Sequence, residues 1–259
     1  MNRANILSLR SILALLLGLS LVGASLGADE GARVARVLSG NLVQLGDGRV
    51  VRLAGIRLPD DGEGRSLADQ ARAALAALVE GRAVRLEPAD HARDRHGRLV
   101  AQVWRDDGLW LQGALLERGL VQLQTRPGEV ARAAEMADLE SAARDAGTGL
   151  WADRRFAARP AHQLGGAAGS FQIVHGRVVR VAPTKRYVYL NFGADWRSDF
   201  TLRVASNLAR SLKKAGLDLE ALAGRDVEVR GYVLEAGGPL IELSHREQIR
   251  ILSAPGGPA

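Results

Sequence analysis

The sequence predicts a mainly β fold with interspersed helices, an α+β class, arranged as two small barrels. Three observations carry this expectation. Short β-branched runs alternate with turn signals, 30 glycines are spread over 259 residues, and 47% hydrophobic content supplies enough apolar material for one large or two small cores.

The elements follow in chain order. From Ala32, the residues Val34, Val37, Val43 and Leu45 recur at strand spacing. Gly46-Asp47-Gly48 then marks a tight turn before Val50, Val51 and Leu53, which predicts a hairpin or meander. A helix is expected from Ser66, with Asp69 three positions on and Leu67, Ala71, Ala74, Leu75 and Leu78 at helical spacing, until Gly81 stops it. Val84 to Leu86 and Leu99 to Trp104 predict further strands. Two helices follow, Leu111 to Arg118 ending at Gly119 and Glu129 to Asp145 ending at Gly147.

Arg154 to Ser170 holds Arg159, Pro160, Gly165, Gly166 and Gly169 with few large apolar residues, the composition of an exposed linker. Beyond it, strands are expected at Phe171 to Val181, Tyr187 to Phe192, Phe200 to Val204, Val227 to Val233 and Leu240 to Leu243. Leu208 to Leu212 falls inside a helix, and Ile249 to Leu252 adds an edge strand. Three strands, a helix and two strands is the order of an OB-type barrel. The expected domains are therefore 29–153 and 171–253, joined by 154–170 and followed by a loose Pro/Gly-rich tail at 254–259.

The first residues have the pattern of a targeting segment. Arg3 and Arg10 precede the apolar run Ile12 to Val22, and the small residues Gly23, Ala24, Ser25, Gly27 and Ala28 follow, so a signal peptide is expected over residues 1–28. The alternative is an uncleaved anchor, although Ile12 to Ala28 is slightly short of the roughly 20 residues a spanning helix needs. Either reading places the folded part outside the cytoplasm, periplasmic or secreted. With no cysteine there to cross-link, its stability must come from core packing. A sequence pI near 10.4 points towards polyanions, yet the net charge of +6 falls to +4 once Arg3 and Arg10 are set aside. Bulk charge therefore implies no strong steering, and any nucleic-acid argument rests on particular residues.

Two segments carry the chemistry: Val51-Arg52-Leu53-Ala54-Gly55-Ile56-Arg57-Leu58-Pro59-Asp60, and Asp94-Arg95-His96-Gly97-Arg98 leading into a strand. With a helix between them, and Gly119-Leu120 and Gly147-Thr148-Gly149-Leu150-Trp151 after them, the stretch from Ala32 to Trp151 resembles the staphylococcal nuclease or thermonuclease family. The resemblance implies a five-stranded OB barrel with three helices, and calcium-dependent cleavage of DNA or RNA phosphodiesters. Arg52 and Arg98 fall where that family places its two phosphate-binding arginines. Such a role suits a planar guanidinium that donates two parallel hydrogen bonds and stays charged at any working pH. Asp60 falls where the family has its water-activating carboxylate, one methylene shorter than the usual glutamate. It is either that base or, with Asp61, a loop-solvating residue.

The metal site is where the sequence departs from the family. Calcium wants six to eight oxygens, several of them anionic. Asn41 and Arg57 stand where the resemblance implies two aspartate ligands, and Leu58 stands in place of a threonine. Two unit charges about 4 Å apart are worth roughly 4 kcal/mol at an effective dielectric near 20, so a cation in place of an anion works strongly against the dication. The expectation is no cofactor, with Asn41 and Asp94 as weak metal candidates. Arg57 either joins Arg52 and Arg98 in a metal-free anion pocket or swings into solvent.

Other residues carry less. His91 and His96 flank a turn without metal spacing, His96 stands where the family tends to be aromatic, and His162, His175 and His245 are isolated. Trp104, Trp110 and Trp151 suit packing, and Tyr187, Tyr189, Phe192 and Trp196 among Lys185, Arg186 and Arg197 suit either a packed sheet face or base stacking. Three functions remain open: an exported nuclease with reduced or lost catalysis, a non-catalytic module that binds phosphate or nucleic acid, and a structural envelope protein.

Overall fold

A computed structural model describes residues 29–59, 65–195 and 197–252. The expected signal peptide, Asp60, Asp61, Trp196 and the tail from Ser253 lie outside the described residues.

The first half runs β1 (Asp29–Ser39), β2 (Leu42–Leu45), β3 (Val50–Leu53), β4 (Ile56–Arg57), α1 (Arg65–Val79), β5 (Ala83–Arg93), β6 (Leu99–Arg105), α2 (Leu111–Glu117), β7 (Gln122–Leu123) and α3 (Ala133–Asp145). Strands β1-β2-β3-β6-β5 close into a barrel, antiparallel throughout except for the parallel pair β3 and β6. Strand alternation decides which residues fill it. Val51 and Leu53 join Val34, Val43, Leu45, Val84, Leu86, Ala101 and Val103 in one core, while Arg52, between them, takes the opposite face in register with Leu42 and Val100. Gly55 ends β3 at φ +75°, and an added Cβ there would stand 2.6 Å from Met136 Cε. Only glycine fits both the turn and the close approach of α3.

The second half runs β8 (Arg159–Pro160), β9 (Phe171–Arg177), β10 (Arg180–Pro183), β11 (Tyr187–Asn191), β12 (Thr201–Ala205), α4 (Ser206–Lys214), β13 (Asp226–Tyr232), β14 (Leu234–Glu235), β15 (Pro239–Leu243) and β16 (Ile249–Ile251). Its connectivity repeats that of the first barrel, including a parallel pair, β12 with β15. The hydrogen bonding forms two sheets, β10-β11-β12-β15-β14 and β16-β13-β9-β8. The chain passes between them at two corners, Val178-Val179 and Val233, and the buried Val178 and Val233 help fill the single core that both sheets enclose. The strand expected over Phe171 to Val181 is thus broken where it turns this corner.

Residues 154–170, expected as an exposed linker, are packed. Two turns of 3-10 helix and β8 lie there, β8 pairs with β9, and Ala161, Leu164 and Ala167 are buried in the second core. The close packing is made by Ala161, whose Cβ would stand 2.9 Å from a Cβ added at Gly176 of β9, whereas Gly165, Gly166 and Gly169 have open space around them.

The two halves are joined by buried ion pairs and an apolar cluster. On β13, Arg230 donates to Glu140 of α3 at 2.6 Å and to Glu228 at 2.7 Å, and Glu228 also pairs with Arg144 of α3 at 2.8 Å. Glu140 accepts from the Leu123 backbone N–H while Arg230 donates to the Leu123 carbonyl, so β7 is gripped from both sides. Leu150, Trp151 and Phe156 pack with Ile173 and Phe171 of β9 beside this cluster. Among the described residues, no helix is long and apolar enough to cross a membrane.

Candidate functional site

The turn from β5 into β6 is organised by one carboxylate. Asp94 Oδ1 accepts the backbone N–H of His96 at 2.9 Å and of Arg98 at 3.2 Å, and Gly97 takes φ +74°. This leaves Asp94 Oδ2 facing two guanidiniums. Arg98 donates to it through Nε and Nη2, both at 2.8 Å, and Arg52 donates through Nε at 3.3 Å. The two arginines that the sequence pairs from distant segments therefore meet on a single oxygen. Burial alone would raise the Asp94 pKa, but hydrogen bonds from His96 and Arg98, with the charge of Arg98, outweigh it and hold the carboxyl at about 2.

Arg52 is 6% exposed, and its other two nitrogens are also engaged. Nη1 donates to Glu129 Oε2 at 3.0 Å and Nη2 to Glu129 Oε1 at 2.5 Å, the fork-to-fork geometry in which a guanidinium also takes phosphate. Burial would lower the Arg52 pKa, and the bonds to Glu129 and Asp94 reverse this, so it is raised. Glu129 is the site residue that sequence reasoning missed. It was expected inside a helix starting there, whereas α3 starts at Ala133, after Arg132 at φ +59°. Residues before it lie in a loop that crosses the outer face of β3 and β6: Gln124 N–H reaches the Gly55 carbonyl, Asp90 N–H reaches the Gly128 carbonyl, and Gln102 donates to the Ala131 carbonyl. Pro127-Gly128 was the signal that could have placed this loop.

A third guanidinium closes the group. Arg126 lies 3.8 Å from Glu129 with its side chain 48% exposed, and its pKa is lowered by burial and by the charge of Arg52. Three guanidiniums thus surround two carboxylates, with Arg98 and Arg126 towards solvent. Arg98 Nη1 takes no partner among the described residues.

Arg57 has different surroundings from those expected. Because β4 pairs with β7, its guanidinium donates to Gln122 Oε1 and lies 4.7 Å from the centre of the Phe171 ring and 5.9 Å from that of Tyr232. It is 7% exposed, which corrects the alternative of a solvent-swung side chain, and it pins the first barrel to the second. Asn41 sits in the turn between β1 and β2. Its Oδ1 accepts from Ser39 Oγ at 3.0 Å, and its carbonyl accepts the Leu53 N–H.

His91 packs under Gly128, and His96 is an exposed turn residue. His245 is not isolated: it is buried at the domain junction, with Nε2 2.7 Å from Thr125 Oγ1 and Nδ1 2.8 Å from Ser244 Oγ. Trp104 and Trp110 stack on each other at 5.8 Å, beneath the Arg132 guanidinium, and Trp151 belongs to the apolar cluster between the halves.

Residues 50–153 match the family model described as staphylococcal nuclease homologue. The match begins at β3, and the structure supplies β1 and β2 ahead of it to close the barrel. No curated protein matches the chain.

Proposed function

We propose that the staphylococcal-nuclease-like domain at residues 50–153 serves, in an exported protein, to grip the phosphates of DNA or RNA, with calcium-dependent cleavage reduced or lost. The observation that carries this reading is the shared Asp94 oxygen, which holds the Arg52 and Arg98 guanidiniums side by side. An incoming phosphodiester meets Arg98 first, because Arg98 is the more exposed of the two. To take the Arg52 fork it must displace Glu129, exchanging one anion for another. Glu129 therefore sets a threshold that only a well-placed, doubly hydrogen-bonded anion overcomes.

Cleavage would further require an activated water and a cation to balance the charge developing on phosphorus-bound oxygens. Calcium, which the family implies, is poorly matched by the described donors. Asn41 offers one neutral oxygen already bonded to Ser39. Asp94 spends Oδ1 on two backbone N–H groups and Oδ2 on two guanidiniums. A hard dication needs more anionic oxygen than this, and no step is assigned to one. Asp60 is kept in the proposal as the group that would accept the water's proton in any residual hydrolysis, with Arg52 and Arg98 stabilising the phosphoryl oxygens.

Export is supported by the order Arg3, Arg10, apolar run and small residues. A purely structural envelope role would not call for two arginines converging on one carboxylate. The test is incubation of the mature protein with single-stranded and double-stranded substrates, in calcium and in chelator, beside Arg52→Ala. The expected result is strand binding that depends on Arg52 with little cleavage in either condition. Rapid, calcium-stimulated cleavage lost in Arg52→Ala would overturn the claim of reduced catalysis.

A further inference from the structure

The second barrel has a cavity of about 430 Å³ that the phosphate site does not use, of a size in the range of small-molecule sites. It lies on the outward face of the sheet β10-β11-β12-β15. Two cross-strand rows floor it, Arg180, Asn191, Thr201 and Leu240 in one, and Ala182, Tyr189 and Arg203 in the other. The residues alternating with them, such as Leu190, Leu202 and Ile241, point into the core, so the floor is rigid. Ala236 and Gly238, from the turn between β14 and β15, form one wall. That wall is held closely: an added Cβ at Gly238 would stand 3.2 Å from the carbonyl oxygens of Arg197 and Asp199.

We infer that this cavity binds one nucleotide of a single-stranded nucleic acid. Its chemistry is mixed in the way a nucleotide requires. Tyr189 gives an aromatic face, tilted against Tyr187 with ring centres 6.0 Å apart. Asn191, whose Oδ1 accepts from Thr201 at 3.3 Å, leaves its amide N–H groups for a base edge. Arg203 Nη2 pairs with Glu242 at 3.2 Å, and its buried Nε has no hydrogen-bond partner among the described residues. Asp199 turns its carboxylate back onto the Asp195 N–H at 2.8 Å. The exposed Arg180 guanidinium has no side-chain hydrogen bond or ion pair among the described residues, and is the cation left for a phosphate. A free inorganic anion would leave the aromatic floor unused, and a duplex would not present an unstacked base to it.

The cavity also continues towards the first site. Glu242, the partner of Arg203, borders a second space of about 270 Å³ at the domain junction, along with Tyr232 and Arg126, and Arg126 adjoins the Glu129 that holds Arg52. Tyr232 and Leu234 are exposed along this path, at 46% and 43%. One strand therefore reaches both barrels, a route that rests on the phosphate-gripping role proposed for Arg52 and Arg98, whereas the nucleotide cavity itself does not.

The test is fluorescence anisotropy with a single-stranded oligothymidylate long enough to span both barrels, in excess chelator. Loss of one stacked base predicts that Tyr189→Ala weakens binding by about tenfold. Arg180→Ala should weaken it as well, and Tyr189→Phe, which keeps the ring, should not. Thymidine 5′-phosphate should shift the ring resonances of Tyr189 in both the wild type and Arg52→Ala. Unchanged affinity in Tyr189→Ala, no shift at Tyr189, or a duplex bound as tightly as the single strand would each overturn the inference. Shifts at Tyr189 with strand affinity indifferent to Arg52 would leave the cavity standing and remove the phosphate grip of the first barrel.

Discussion

At Arg52 two carboxylates occupy all three guanidinium nitrogens, and Glu129 does so in the geometry a phosphate would take. Removing its charge while keeping its shape makes the fork easier to enter. Glu129→Gln is therefore expected to bind thymidine 5′-phosphate about tenfold more tightly by calorimetry, the weight of one charge-assisted hydrogen bond no longer contested. Unchanged or weaker binding would show that Glu129 does not compete. Arg52 and Arg98 were legible in the sequence because each lies inside a short motif whose neighbours, Gly55 and Gly97, mark the turns that aim them, whereas Asp94 was read only as a weak metal candidate and not as the carboxylate between them. Glu129 was not, because its partner lies 77 residues away and helical spacing continues smoothly through it. Only Pro127-Gly128 argued locally for a loop.

The strands and helices themselves were largely readable, since alternation and helical spacing report which face of each is buried. What the pattern hid was charge inside the fold. Glu140, Glu228 and Arg230 occupy positions where polar residues usually meet solvent, yet they are buried against one another between α3 and β13. The same blind spot made residues 154–170 resemble a linker, because small residues packed against β9 and loose ones look alike in composition. A buried pair that loses one partner leaves an uncompensated charge. Arg230→Ala should thus cost about 3–5 kcal/mol in urea unfolding, far more than Arg203→Ala at the more exposed Arg203–Glu242 pair. Equal, small losses for both would mean that the cluster does not hold the halves together.

Across the whole molecule, the two barrels share one topology and dock through Arg57, Arg230 and His245. His245 makes that docking pH-sensitive. Burial lowers its pKa from the ordinary 6.5, against the opposing pull of Glu247 and Glu129. The folded state thus prefers the neutral ring. Its contribution is complete above pH 6.5 and is lost as the pH falls below that value, where the unfolded chain takes up the proton first. The melting temperature should accordingly fall between about pH 7 and 5, and His245→Gln should flatten that fall. A parallel profile in the variant would place the pH response elsewhere.

The central claim is that Arg52 and Arg98 together grip a phosphate without a dication. Titration of an oligothymidylate into the wild type, Arg52→Ala and Arg98→Ala, each in calcium and in excess chelator, tests it most directly. The account predicts the same wild-type affinity in both conditions, and a loss in each variant of about tenfold or more, as expected when a charged hydrogen-bond donor to phosphate is removed. Binding that requires calcium, or that survives loss of either arginine, would contradict it.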